Sequence, residues 1–548
     1  MKRRGSLLRD ANLALLALGA LALHSLGAGR AEALDYVDSS PSGAAFPEWE
    51  GGDTELEFAD IDGDGHVDFL SIGDHGSPFI NTDQHGIMCY FGDGAGGWSV
   101  HQEGNFGYGG IAVGDVDNDG FLDVGYGMHH DYSGTDFGDQ LIEVVRGDGS
   151  GTAWTPGDDG LGSGGETYGM FASDFADMDN DGDLDLASHS FGCCNGPHVY
   201  RNDGGGQWTH TWSLPGANAR ASLGWGDVNG DGVADFAASY QSGTIYLGDG
   251  EGSFTVADAG LPAAGLLGLA GVHLGDVNGD GCADLAFTRN GGVFVYFWQG
   301  GSWVSASGGL PASGGYEVAQ LWDMDVDGFV DVAALGSGTC TVWLGDGAGS
   351  WTAGGGITKG PAVDTAAFRA GGDVDRNGFP DLVFLQEEDV GPTYRNVLYV
   401  FRESSVPAAR FARFQFPRGN EAFYEGSVQT IRWSSAQVGS SPATAALELS
   451  TNGPGGPWTP VASGLPDNGA YQWIVSGPPT DTACLKLVVT QGSESATALS
   501  SQFRILAGGA TGALAAAPAV ERLTAWPNPS RGRVRFRLAG GGAIALYD

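Results

Sequence analysis

Seven copies of one acidic nonapeptide decide what this chain can become. They read DIDGDGHVD from Asp60, DVDNDGFLD from Asp115, DMDNDGDLD from Asp177, DVNGDGVAD from Asp227, DVNGDGCAD from Asp276, DMDVDGFVD from Asp323 and DVDRNGFPD from Asp373. Successive copies start 55, 62, 50, 49, 47 and 50 residues apart, a period that belongs to propeller blades or solenoid repeats. Glycine, 96 of 548 residues, stands far above its usual ~7% and rules out a mostly helical protein. Aromatic residues at 11%, with 15 Trp, supply ample core-forming surface.

The spacing within each copy suits a hard cation. Oxygen-bearing side chains at positions 1, 3 and 5 alternate with residues that turn outward, glycine at position 6 permits a sharp turn, and position 7 offers a backbone carbonyl. A carboxylate at position 9 closes the set. The first loop thus contributes Asp60, Asp62, Asp64, His66 and Asp68, and the second Asp115, Asp117, Asp119, Phe121 and Asp123. The third contributes Asp177, Asp179, Asp181, Asp183 and Asp185, and the fourth Asp227, Asn229, Asp231, Val233 and Asp235. The fifth contributes Asp276, Asn278, Asp280, Cys282 and Asp284, and the sixth Asp323, Asp325, Asp327, Phe329 and Asp331. Asp373, Asp375, Asn377, Phe379 and Asp381 form the seventh. An EF-hand would need Glu at position 12, where these loops carry Ser71, Tyr126, Ser188, Ala238, Phe287, Ala334 and Phe384, so that motif is excluded. Of the 28 side-chain ligand positions 25 are Asp and three are Asn. Such oxygen-only sets select Ca²⁺ over zinc or copper, and up to seven ions are expected. Asp and Gly merely marking a hairpin turn would explain one copy but not seven in register.

Charge agrees. The chain has 67 acidic and 25 basic residues, a formal net charge of −42, which repels phosphates and anionic headgroups and argues for cations rather than nucleic acid or a lipid surface as partners.

The loops and their period resemble FG-GAP/VCBS repeats, the calcium-loop blades of the integrin α-chain propeller, over residues 42–403. Seven copies then imply a seven-bladed β-propeller in an all-β chain. The flanks fit four strands per blade: residues 54–58 alternate before the first loop, 67–70 resume after it, and 87–91 lead into the turn 92–97 and Trp98. Similar turns at 147–149, 202–204, 248–250 and 345–347 each precede an aromatic. The seventh copy lacks this ending, whereas residues 43–49 resemble the missing strand. The N-terminus is therefore expected to close the ring as the outer strand of blade seven.

In such a blade the acidic loops share one face and the second-to-third strand loops the other. Those opposite loops are long in copies one, two, three and seven, which become neighbours once the ring closes. They carry His75, His85, His129, His130, Asp131, Tyr132, His189 and Tyr394, with His198 just beyond, and form the expected binding arc for a protein or glycan. His189, Cys193, Cys194 and His198 also permit a zinc or copper site, or a vicinal disulfide. Catalysis has less support: there is no Gly-x-Ser-x-Gly elbow, no His-Glu-x-x-His and no phosphate loop. His129 or His130 with Asp131 acting on a polysaccharide, as a lyase or hydrolase, is the alternative to a non-catalytic binder.

Residues 1–33 read as a secretory signal peptide, with a basic start, a short apolar run and Ala31-Glu32-Ala33, which places the protein outside the cell or on its outer surface. Cleavage leaves no transmembrane helix in the mature chain. Six cysteines are too sparse for a disulfide scaffold. Residues 34–405 form the expected propeller. Residues 406–507, with Trp433, Trp458, Tyr471 and Trp473 among alternating strands, look like an immunoglobulin or fibronectin-type sandwich. An Ala/Gly-rich linker over 508–520 follows. Residues 521–548 resemble the start of a C-terminal sorting domain of the flagellar-hook, type IX-like kind, a partial β domain.

Overall fold

The computed structural model describes residues 34–508 apart from 42–48, 51–53, 74–85, 105, 108, 130–136, 138, 167–168, 191–195, 215–218, 241–243, 263–266, 337, 359–363, 390–393, 408 and 438–440. The expected signal peptide, the expected linker beyond Gly508 and the expected sorting-type segment lie outside the described residues. Among the described residues no helix is long and apolar enough to cross a membrane.

Each acidic loop joins the first two strands of a four-stranded antiparallel sheet. In blade 1 these are Leu56–Ala59, Asp68–Ile72, Ile87–Gly92 and Trp98–Glu103. Asp68–Ile72 is buried at every position, whereas Trp98–Glu103 is buried at none. The sequences follow from this placement: middle strands such as DFLSI and DVAALG touch a neighbouring sheet on each side and are chiefly apolar. The same order recurs from Ile111–Gly114 to Trp154–Pro156, Met170–Ala176 to Trp208–Ser213, Ala219–Gly226 to Phe254–Val256, Leu267–Gly275 to Ser302–Ser305 and Val318–Trp322 to Trp351–Thr358.

The wheel closes. The first strand of every blade packs against that of the next, and Asp364–Ala370 of blade 7 packs against Leu56–Ala59 of blade 1. One apolar cluster fills each of the seven seams, for example Leu70 and Ile72 against Val124 and Tyr126 between blades 1 and 2, and Phe69 and Tyr90 against Val383 and Val400 between blades 1 and 7. The aromatics that open the fourth strands bolt neighbours together: the indole N–H groups of Trp208, Trp303 and Trp351 donate to Gly157, Ala257 and Ala306 of the preceding blade or its exit at 2.7, 2.9 and 2.7 Å.

The closing strand differs from the sequence expectation. Tyr36–Asp38 pairs with Phe401–Glu403 at the end of the third strand of blade 7, and Trp49–Glu50 pairs farther along the same strand with Asn396 and Arg395. Of the expected stretch, residues 43–48 lie outside the described residues. Leu34 and Tyr36 bury their side chains in the seam between blades 6 and 7, so the clasp also includes residues upstream of the expected stretch. Burial of two such side chains contributes about 3–6 kcal/mol. Deleting residues 34–52 should therefore lower the melting temperature by roughly 4–8 °C; a melt unchanged by scanning calorimetry would contradict the clasp.

The chain after the wheel forms two further sheets. A three-stranded sheet holds Ala412–Phe416, Val428–Ser435 and Ala470–Ile474; a six-stranded one holds Ala422–Tyr424, Phe503–Leu506, Thr480–Gln491, Thr444–Ser450, Thr459–Pro466 and Glu494–Leu499. Trp433, Trp473, Phe423, Phe503, Leu447 and Leu485 share the core between them.

Candidate metal centres

The seven loops have one internal wiring. The position 1 carboxylate accepts the amide of the position 6 glycine, at 2.7–3.1 Å in all seven. The position 5 side chain accepts the position 7 amide at 2.8–3.1 Å, which turns the position 5 oxygen toward its own turn. Oxygens from positions 1, 3 and 9 converge within 4.8 Å of one another in loops one (Asp60, Asp62, Asp68), two (Asp115, Asp117, Asp123), three (Asp177, Asp179, Asp185) and six (Asp323, Asp325, Asp331). That is the spacing of oxygens around one cation with bonds of about 2.3–2.6 Å.

Position 9 carries a second task that sequence reasoning missed. In every blade one of its oxygens accepts the position 2 amide at 2.7–3.1 Å. The other accepts an amide at the end of the third strand, also at 2.7–3.1 Å. These aspartates are buried to 1% exposure or less. Burial pushes Asp68, Asp235 and Asp284 up to about 8 and Asp123 to about 7, and neighbouring carboxylates add in the same direction. Position 1 is raised less, to about 6 at Asp60, Asp115, Asp227 and Asp276, again chiefly by burial. A bound divalent cation would reverse the direction.

Position 4 was also passed over. Gly63, Asn118, Asn180, Gly230, Gly279, Val326 and Arg376 all have φ between 57° and 74°. Glycine and asparagine tolerate this left-handed conformation; Val326 and Arg376 adopt it against their preference, at a cost of about 1–2 kcal/mol each. The signal was available, since five of the seven residues are Gly or Asn.

Loop seven differs in its surroundings. The Arg402 guanidinium stands 3.3 Å from Asp375, and the Asn377 amide donates to the carbonyls of Glu403 and Ser405 at 2.7 and 3.2 Å. The protein itself thus supplies part of the countercharge that a cation would bring. Arg146 approaches Asp117 of loop two less closely, at 3.7 Å.

All seven loops touch the sheets that follow the wheel. Asn468 donates to Asp60 at 3.0 Å, the Gln472 amide exchanges two hydrogen bonds with the backbone of Asp115, and the Val428 amide donates to Asp177 at 2.8 Å. Arg504 donates to the Gly230 carbonyl at 3.1 Å, Asn420 to that of Gly279 at 2.7 Å and Arg418 to that of Gly328. The Gln437 backbone N–H donates to the Arg376 carbonyl at 3.0 Å. The two-sheet unit therefore caps the acidic-loop face. From it Arg432 reaches the axis of the wheel: its guanidinium lies 5.7 Å from the Trp322 ring, and the charges of Asp174, Arg369 and His273 from other blades bear on it or its neighbours.

Of the residues expected on the opposite face, His75, His85, His130, Asp131, Tyr132, Cys193 and Cys194 lie outside the described residues. Tyr394 pairs with Asp389 at the end of blade 7. His129 is half-buried, with its ring 6.0 Å from that of Phe171. His189 and His198 do not stand on an exposed arc: both are buried inside blade 3, on its second and third strands. His198 meets Glu166 and His210 there, partners that the sequence reading did not connect with it.

Comparison with known proteins matches the FG-GAP-like repeat family at residues 189–238 and 236–287. A search of curated proteins found no match. Among solved structures, the fibronectin(III)-like modules of Clostridium thermocellum CbhA are similar at 9% identity, covering 33% of this chain and 85% of that one, with a TM-score of 0.15. That score is too low to establish a shared fold.

Proposed function

We propose that this chain is an exported, calcium-loaded β-propeller that recognises a protein or glycan at the cell exterior without chemistry, through the face opposite its metal loops. The observation that carries this reading is the convergence of three carboxylates in four of the seven acidic loops of a closed wheel. FG-GAP-like repeats, the acidic balance and the basic-apolar leader are consistent with it. Ca²⁺ is the ion whose hard-oxygen preference the donor set fits, with residues 60–68, 115–123, 177–185, 227–235, 276–284, 323–331 and 373–381 as the holders. Loop seven is the weakest of the seven because Arg402 already neutralises part of it.

The domain reading belongs to the same proposal: a propeller over 34–405, an immunoglobulin- or fibronectin-like sandwich over 406–507 and a sorting-type segment after the linker. The two-sheet unit sits against the acidic loops, and the reading therefore assigns recognition to the long loops of the other face, since loops on a rigid scaffold are where recognition concentrates. The test is a glycan and protein array probed with the full chain in millimolar calcium, with bound partners assayed for turnover. Saturable binding lost on shortening the 74–85 or 130–136 loop supports the reading; turnover of a polysaccharide would replace it with the enzyme alternative.

A further inference from the structure

Three side chains in blade 3 and its approach form a cluster of a different chemical kind from the acidic loops. Pro197–Asn202 and Trp208–Ser213 are paired so that Tyr200 stands opposite His210, with a register shift next to it. Side chains two apart on a strand share a side, so His198, Tyr200 and His210 face the same way. The connection between Trp154–Pro156 of blade 2 and Met170–Ala176 of blade 3 carries Glu166 over that side. His198 Nδ1 lies 2.9 Å from Glu166 Oε1 and 3.2 Å from His210 Nε2, and one ligand atom from each of the three residues falls within 4.8 Å of the others. The side chains of His198 and Glu166 are 3% and 0% exposed.

We propose that Glu166, His198 and His210 bind one Zn²⁺ ion. Ligand atoms on a tetrahedral zinc with bonds of 2.0–2.1 Å stand roughly 3.3 Å apart, close to the separations found. A single proton on His198 Nδ1 can serve only one of the two acceptors facing it, whereas a cation satisfies all three lone pairs together. Tyr200 donates to Glu166 Oε1, supporting the carboxylate from behind as outer-shell partners of metal ligands do. Gly164 keeps the front clear: a Cβ there would stand 2.6 Å from His210 Nε2 and 2.8 Å from Glu166 Oε1. Glu166 Oε2 and His198 Nε2 are buried with no hydrogen-bond partner among the described residues. Two imidazoles and one carboxylate prefer a borderline transition ion to calcium, and three protein ligands leave the fourth position to water. The ion would clasp blade 3 to the strand connection from blade 2.

The test uses the full chain, stripped with chelator and returned to millimolar calcium so that the acidic loops are filled. Zinc titration followed by gel filtration and metal analysis should retain one equivalent per chain, and cobalt substitution should give a visible d–d spectrum of nitrogen and oxygen ligation. His210→Gln, at a half-buried position, and Glu166→Gln should each weaken binding by more than about tenfold while keeping the wild-type circular dichroism spectrum. Failure to retain zinc in the folded wild type, or equal retention by folded H210Q, overturns the assignment.

Discussion

Chelating divalent cations from the full chain at pH 8 is expected to lower its melting temperature by about 10 °C, the shift that roughly 8 kcal/mol from about three filled loops implies for a wheel of this size. A loop whose ion binds about 100-fold below its ambient concentration stabilises the fold by ~2.7 kcal/mol, and several such loops rival the ~5–15 kcal/mol of a whole domain. Without the ion, positions 1, 3 and 9 hold carboxylates together in buried surroundings. Their raised values set the pH dependence. In the metal-free fold Asp68, Asp235 and Asp284 keep protons up to about 8 and Asp123 to about 7, while in the unfolded chain they have lost them above the ordinary carboxylate range of about 4. The native state then binds more protons, so stability is fully present below pH 4 and declines as pH rises through 7 to 8. The chelated protein should therefore melt higher at pH 5 than at pH 8, and the gap between loaded and stripped protein should widen with pH. The capping sheets should respond as well, because Val428 and Asn468 donate to Asp177 and Asp60 themselves. Limited proteolysis should cut the 404–411 connection faster after chelation. Melting curves that superimpose with and without chelator would remove calcium from the account of the fold.

Replacing Asp185 by Ala should cost about 2–6 kcal/mol even in the absence of any ion. Its two oxygens accept the amides of Met178 and Asn202 at 2.9 and 2.8 Å in a fully buried setting, and each orphaned buried N–H costs about 1–3 kcal/mol. Asp181→Asn is the contrasting variant. Position 5 is exposed, and an asparagine retains the oxygen that accepts the Asp183 amide, so a change within about 1 kcal/mol is expected without metal. Urea unfolding of both variants, with calcium and with chelator, separates the hydrogen-bonding task of the loop from its ion-binding task. Equal destabilisation of the two in chelator would contradict the division.

The acidic loops were legible because a cation site needs fixed residue types at fixed intervals, and seven repetitions lift that signal above turn composition. The blade strands were legible for the same reason, since each loop and each Gly-Asp-Gly turn dates the strands on either side. The double hydrogen bonding by Asp185 and its equivalents was not, because a carboxylate that binds an ion and one that holds two amides are the same letter. The capping of the loops by Asn468, Gln472, Asn420 and Arg418 had no sequence signal, these polar residues being scattered along 55 positions without period. Glu166, His198 and His210 come from a strand connection and two strands, and only a paired register with a shift beside Tyr200 brings them to one place. The clasp was legible only in part: Trp49 pairs with blade 7 as its position suggested, whereas the contribution of the plainer Leu34 and Tyr36 farther upstream had no such signal.

Ser39 reaches the carbonyl of Val400 across 361 positions of chain. Residues made early in synthesis are thus among the last to find their seat, after six complete blades and most of a seventh have been made. Loop-closure entropy and high contact order make such a join slow. Until it is sealed, blade 7 offers an unpaired edge to any extended segment nearby, including the leading strand of another copy.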